Sequence, residues 1–443
     1  MAMKTARNGT WLERWNPEEA GWNSALAWRT LWITTFNLML AFITWFVVSA
    51  LVVRLPNVGF HLSTSQLFWL TAMPGLAAGT LRILHTFLIP IYGSRHVITF
   101  STLSLLIPLI GWGFIAQNVA TPFWLLMLLA FLAGLGGGNF SSFMPSTSLF
   151  FPKRMQGTAL GLQAGIGNFG VSVVQFITPW IIGFALAGSL LGNAETFTKG
   201  AVSKPIWLQN ATLIWVPFVL VGAFLAWNYL KSVPVRANFR EQLDIFREKH
   251  TWIMTSLYIM TFGSFSGFSA IFPLLIREVY GKFEGAPDPL KYAFFGPLVG
   301  SAARVLAGPV SDRFGGARVT QVSGIGLLIS AFLVTLYTRP AGLEAFPYFV
   351  TAMLLAFFFS GVGNASTFKQ MPMIFPPRQA SGVIGWTAAI AAYGPFIFST
   401  LAGAVIARSG SPTSFFYALM AFYLLNIALN WYFYARRGAE KPC

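Results

Sequence analysis

Twelve stretches of the chain are too long and too apolar to be anything but membrane crossings. They run over residues 31–53, 65–91, 97–116, 122–150, 156–188, 211–230, 252–276, 292–311, 319–337, 346–373, 382–406 and 413–434. Each is about 20 residues or more, the length an α-helix needs to traverse a hydrocarbon core about 30 Å thick. Inside that core every backbone N–H and C=O must be satisfied within the segment, which a helix does unaided. The expected fold is therefore an all-α membrane protein with twelve transmembrane helices. Only 9% of the 443 residues are charged, against 55% hydrophobic, so a soluble enzyme and a disordered chain are excluded.

The charges follow the same geometry. The 29 Lys and Arg outnumber the 13 Asp and Glu, a bias that in a soluble protein would point to nucleic acid. Here the bases crowd into the tails and alternate loops, as the positive-inside rule requires when both termini are cytoplasmic. No nucleic-acid partner is expected. Residues 1–30 read as a cytoplasmic tail and not a signal peptide, since they lack a short apolar core and a small-residue cleavage site. Cys443 is the single cysteine and the four histidines are scattered, so no disulfide, metal site or cofactor is expected.

The chain also repeats itself. Leu81-Arg82-Ile83-Leu84 recurs as Ala303-Arg304-Val305-Leu306, Gly138-Asn139 as Gly363-Asn364, and Phe151-Pro152-Lys153-Arg154 as Phe375-Pro376-Pro377-Arg378, at offsets of 222, 225 and 224. This gives two pseudo-symmetric six-helix halves, residues 31–230 and 251–435, joined by a charged linker at 231–250 and followed by a tail at 436–443. Repeated halves in a membrane are the mark of alternating-access transport, with the substrate between them at mid-depth. The Gly308–Arg318 loop resembles the major facilitator loop signature G-x-x-x-D-R-x-G-x-x-R, a resemblance that implies a cytoplasmic gate motif of Asp312, Arg313 and Arg318, whose Asp can cap or pair across a helix end.

Three bases fall within spans: Arg82, Arg304 and Lys369. A buried cation costs about 2.5–3.5 kcal/mol even on the most lenient scales. A salt bridge would explain it, yet no Asp or Glu lies near the middle of any span, so a partner anion comes from outside or the guanidinium leans on carbonyls and aromatic faces. Two guanidinium forks at repeat-equivalent positions then suit a small planar oxyanion, each fork donating paired N–H bonds. Nitrate and nitrite meet that description; a sugar or an organic cation does not. Glycines run through the fourth, fifth, tenth and eleventh spans, among them Gly161, Gly165, Gly167 and Gly363, where small residues either pack helices tightly or let them slide. Asn168 places an amide in the same stretch, able to donate to an anion.

With these residues in place, the sequence resembles the NarK-type nitrate/nitrite porters of the major facilitator superfamily. The resemblance runs through Leu55–Phe60, Leu81-Arg82, Gly161–Gly170, Trp252-Ile253-Met254, Thr261–Phe265, Tyr292–Pro297 and Gly308–Arg318. It implies a major facilitator fold in a bacterial cytoplasmic (inner) membrane, a monomer, and an anion clamped by Arg82 and Arg304. It also implies a site completed by Asn168 and an aromatic shell of Phe42, Phe140, Tyr258, Phe262 and Phe368. The short link Pro376–Ser381 and the lysine after Phe368 place the chain with the nitrate/proton symport branch, importing the anion with protons. Nitrate/nitrite antiport on the same scaffold is the alternative.

Lys369 has its own reading. Buried near two guanidiniums, its ammonium would lose its proton to desolvation and like charge, and an arriving anion would restore it. Alternatively it snorkels to the interface, as lysines near helix ends do. His85, three residues past Arg82, is the second proton candidate, or else a polar group packed against a neighbouring helix. A membrane enzyme would need a carboxylate, paired His or metal site that the spacing does not provide. A transporter-like sensor would need an output domain, and no loop is long enough for one.

Overall fold

The structure, a computed structural model, describes residues 10–12, 15–19, 22–186, 191–234 and 243–443. Among the described residues, eleven helices are long and apolar enough to cross a membrane. One of them, Thr64–Ile115, has 52 residues, about 78 Å of helix and more than twice the hydrocarbon thickness. It turns at Gly93, whose φ of +77° no other residue type adopts cheaply. A Cβ there would also collide with Ser232 and Trp11. Divided at that turn, the segment supplies α2 (64–92) and α3 (94–115). The others are α1 (Ser24–Leu51), α4 (Phe123–Ser148), α5 (Lys153–Ile181), α6 (Asn210–Tyr229), α7 (Lys249–Tyr280), α8 (Leu290–Phe314), α9 (Gly316–Thr335), α10 (Leu343–Ile374), α11 (Gly382–Ser409) and α12 (Thr413–Ala435). Twelve crossings therefore emerge, with the ends of the chain on one side of the bundle. That side is called the terminal end below, and the opposite side the far end.

Between α5 and α6 stands a feature the apolar runs do not announce. A two-stranded antiparallel hairpin, β1 (Glu195–Lys199) and β2 (Val202–Ile206), sits at the far end. Of the linker expected at 231–250, residues 235–242 lie outside the described residues, as do Lys4, Arg7 and Arg14 of the tail. Leu243–Arg247 forms one short 3-10 turn.

The halves meet closely at the far end. Arg54, after α1, donates from Nη2 to both Asp288 carboxylate oxygens at 2.8 and 2.7 Å, joining the first half to the second. Thr64 donates to Glu278, itself paired with Arg277. Gln175 on α5 donates to the Ser269 carbonyl on α7 at 2.9 Å, and Ser172 to the Phe294 carbonyl at 2.9 Å. Toward the terminal end the same helix pairs part. A Cβ at Gly165 would lie 2.5 Å from Val305, but Gly161, one turn on, has nothing within 4 Å, and neither has Gly308. On the opposite wall Gly75 and Gly79 press on Phe396, Pro395 and the Tyr393 ring, whereas the approach of Gly385 to Thr86 relaxes to 3.8 Å. The cleft between the halves is a V, closed at the far end and open at the terminal end.

If the Arg54–Asp288 pair holds the V shut, Asp288→Asn leaves a nearly buried guanidinium without its carboxylate and weakens far-end closure by about 1–3 kcal/mol. Spin labels across the far end should then report a second, longer distance population absent from the wild type.

Candidate functional site

The apex of the V is where α2, α4, α7, α8, α10 and α11 converge, and both repeat-equivalent arginines are there. Arg82 is fully buried on α2. Its Nε donates to the Gly137 carbonyl of α4 at 2.8 Å and its Nη1 to the Ala388 carbonyl of α11 at 2.7 Å. The first bond stays within its own half and the second crosses to the other. Ala388 can offer its oxygen because α11 is loosening there: the Ala392 amide is shared among carbonyls, and Gly394-Pro395 restart the helix. Arg82 Nη2 is buried and has no partner. Three aromatic faces take the place of a carboxylate, with Cζ 4.6 Å from the Phe140 ring centroid, 5.1 Å from Phe262 and 5.3 Å from Trp45. Each such cation–π contact contributes about 2 kcal/mol when desolvated, enough together to offset much of the burial cost.

Arg304, on α8, is 6% exposed. Its partner is Asn168 of α5. With the amide oxygen assigned toward the guanidinium, as the surrounding donors demand, Asn168 accepts from Arg304 Nη1 at 3.1 Å and donates to the Ala164 carbonyl at 3.3 Å. The asparagine expected to donate to an anion thus orients the arginine that would. Gly161, Gly165 and Asn168 follow at i, i+4 and i+7 on one face of α5, and the missing Cβ of Gly165 is what lets α8 come close enough for this bond. Gly167 faces the first half instead, against Leu38, and Gly363 faces Thr261 and Ser323. These two serve close packing.

The expected aromatic shell is assembled as a continuous wall. Tyr258 and Phe262 stack with centroids 5.5 Å apart and planes at 9°. Phe368 lies 5.2 Å from Tyr258 and 5.5 Å from Arg304 Cζ. Phe140 stands 6.4 Å from both Phe42 and Phe262. The Tyr258 hydroxyl is buried beside Arg304, in the field of both guanidiniums, without a well-formed hydrogen bond. Between Tyr258 and Phe262 the backbone widens into a π-turn, Ile259–Gly263, where the Thr261 hydroxyl bonds back to the Leu257 and Tyr258 carbonyls. Such turns occur often at functional sites. The i, i+4 spacing brings the rings together, but the π-turn does not show in it.

Lys369 departs from expectation. It is not held beside the guanidiniums: its side chain is 43% exposed near the terminal end of α10 and forms an ion pair with Asp312. The backbone direction of α10 carries residue 369 away from the face that bears Phe368, and a long flexible amine follows it to the interface. The burial expected for it is therefore absent. Asp312 pairs within its own half, while Arg313 lies along the Phe314 ring at 5.4 Å and Arg318 is exposed. His85 is buried with Nδ1 2.9 Å from the Ser142 hydroxyl, a polar contact between α2 and α4.

Sequence reasoning passed over Trp45, whose ring is fixed by an Nε1 bond to the Pro74 carbonyl at 3.1 Å, and the two backbone acceptors of Arg82. Trp45 carries a faint signal, being three residues past Phe42; the carbonyls carry none.

The comparisons with known proteins bear on family and fold. Residues 31–282 match the model of the Major Facilitator Superfamily. The chain is 77% identical, over 100% of both chains, to the probable nitrate/nitrite antiporter NarK2 of Thermus thermophilus. It is 35% identical, over 99% of both, to the nitrate/nitrite transporter NarU of Escherichia coli strain K12. The chain belongs to the NarK-type nitrate/nitrite porter family of the major facilitator superfamily. Among solved structures, the inward-open xylose transporter XylE of E. coli superposes with a TM-score of 0.67 at 15% identity, covering 91% of this chain and 96% of that one. That likeness is one of fold. Its relatives are transporters, and the chain is not an enzyme.

Two like charges buried without a carboxylate strain the empty site. Arg304→Met keeps the length of the stem and removes one charge. The anion-free protein should melt about 2 °C higher or more, measured by thermal unfolding in detergent without added anion.

Proposed function

We propose that the chain is a secondary active transporter for nitrate and nitrite, working by alternating access, with the anion gripped between Arg82 and Arg304. One observation carries the reading: two buried guanidiniums, one from each half, converge at the apex of the cleft among aromatic and amide side chains instead of carboxylates. The names of NarK2 and NarU lend it support. An anion entering the open V removes the repulsion between the two arginines at the apex that holds the halves apart at the terminal end. The halves then rock about the apex, closing that end and parting the far-end contacts. We place the protein in the bacterial inner membrane as a monomer, with the terminal end cytoplasmic.

The same electrostatics favour exchange over proton-driven uptake. An empty site holding two cations closes poorly, so the carrier reorients mainly when loaded, and each anion out is matched by one in. Lys369, tied to Asp312 outside the clamp, gives no direct route from anion binding to proton binding. Nitrate/proton symport stays as the second reading on one observation. Lys369 follows Phe368, whose ring sits on Arg304, so closure that shifts this ring also pulls on the ion pair and its proton.

In proteoliposomes, Arg82→Lys and Arg304→Lys should each reduce nitrate transport by 100-fold or more, since lysine keeps the charge but not the fork; transport within severalfold of wild type by either variant rejects the clamp. Nitrate uptake at zero pH gradient should rise at least tenfold when the liposomes are loaded with nitrite. Uptake that ignores internal nitrite and follows an imposed pH gradient decides for symport.

A further inference from the structure

Asn364, on α10, is a polar side chain that nothing in the fold explains. It is fully buried, yet neither its Nδ2 nor its Oδ1 has a hydrogen-bond partner. An orphaned buried amide is costly and uncommon. The other buried polar side chains of the same helix are satisfied: Ser360 bonds the Phe357 carbonyl, Ser366 bonds Thr320, Thr367 the Gly363 carbonyl and Gln370 bonds Thr320. The repeat-equivalent Asn139, in the first half, also donates, to the Ser101 carbonyl.

Its direction follows from its neighbours on the helix. On one side Gly361 rests against the Gly300 backbone of α8, and Phe368 covers Arg304. On the other, Gly363 and Thr367 meet Thr261 of α7. At 100° per residue Asn364 falls between those two sides, in the wedge where α7 brings Tyr258 and Phe262 and α8 brings Arg304. It stands one turn from Phe368 toward the far end. Ser301, one turn before Arg304 on α8, is likewise buried with its hydroxyl unpaired.

We propose that Asn364 reads the third oxygen of nitrate and so sets the preference for nitrate over nitrite. This rests on the Arg82–Arg304 clamp. Two guanidinium forks closing from opposite sides each take one oxygen of a small planar anion. Nitrate has a third oxygen that must point out of the clamp, and nitrite has a lone pair there instead. The Asn364 amide donates to that oxygen through Nδ2, and nitrite leaves the amide as unsatisfied as the empty site does. Discrimination then comes from a polar group left unpaired by the wrong ligand, which is more selective than a difference in size.

The test is Asn364→Leu, nearly the same volume without the amide, with nitrate and nitrite binding measured on the full-length protein by ligand-induced thermal shift and by competition in proteoliposomes. Nitrate affinity should fall about tenfold, one hydrogen bond to a charged partner, while nitrite affinity stays within about twofold. The anion-free melting temperature should hold or rise, since an unpaired buried amide has been removed. Asn364→Ser, which keeps a donor, should show the same selective loss at smaller size and serves if the leucine variant does not fold. Equal loss for both anions, or no loss for either, overturns the proposal. Arg304→Lys separates the two readings: it should lose both anions alike, and if it binds both normally the clamp fails and the role of Asn364 fails with it.

Discussion

Everything near the centre of this bundle answers to one electrostatic problem, the burial of two guanidiniums where no carboxylate comes to meet them. Desolvating each is expensive, and the chain offsets the expense with groups that favour a cation without neutralising it. Arg82 has three ring faces and two carbonyls, and Arg304 has one ring and one amide oxygen. None of these carries a full charge, so the pair keeps its net positive field. A carboxylate would make the empty protein more comfortable and the site useless for an anion.

The helices that carry the two arginines also form the hinge. α5 and α8 touch from Ser172 and Phe294 down to Gly165 and Val305, then separate by Gly161 and Gly308. α2 and α11 touch at Gly75 and Gly79 and are already looser at Gly385. Arg82 and Arg304 lie where contact gives way to cleft. On the proposed rocking mechanism, a change in the force between them acts close to the fulcrum, and small displacements there become large openings at the ends. The bond from Arg82 to the Ala388 carbonyl spans the same boundary, so α11 takes part through its backbone.

The span count, the repeat, the paired arginines and the aromatic wall were all legible in the sequence, because each rests on residue type at a helical or repeat spacing. The break between the spans 65–91 and 97–116 was legible as well; that the helix turns there on Gly93, with a φ of +77°, was not. What could not be read depends on backbone groups and on small angular displacements. The Gly137 and Ala388 carbonyls have no side-chain signature, and the π-turn at Ile259–Gly263 arises from local competition for hydrogen bonds. Lys369 follows the second of its two readings, at the interface, for a simple angular reason: one residue beyond Phe368 is a rotation of about 100°, which takes it off the face that meets Arg304. Asn168 was correctly located, but its role depended on which end of a symmetric-looking amide faces the cation.

The Lys369–Asp312 pair gains meaning once it is removed from the clamp. An anion approaching from the terminal end passes the mouth of the cleft, where Asp312 is 61% exposed. A free carboxylate at that point would repel it. Paired with Lys369, Asp312 contributes almost no net field, and the exposed Arg313 and Arg318 leave the mouth cationic. Clefts lined by one sign of charge between low-dielectric walls concentrate the opposite ion. On the proposed transport reading the lysine serves the anion without touching it: it cancels the Asp312 charge at the mouth, and the remaining field leads inward to the two arginines.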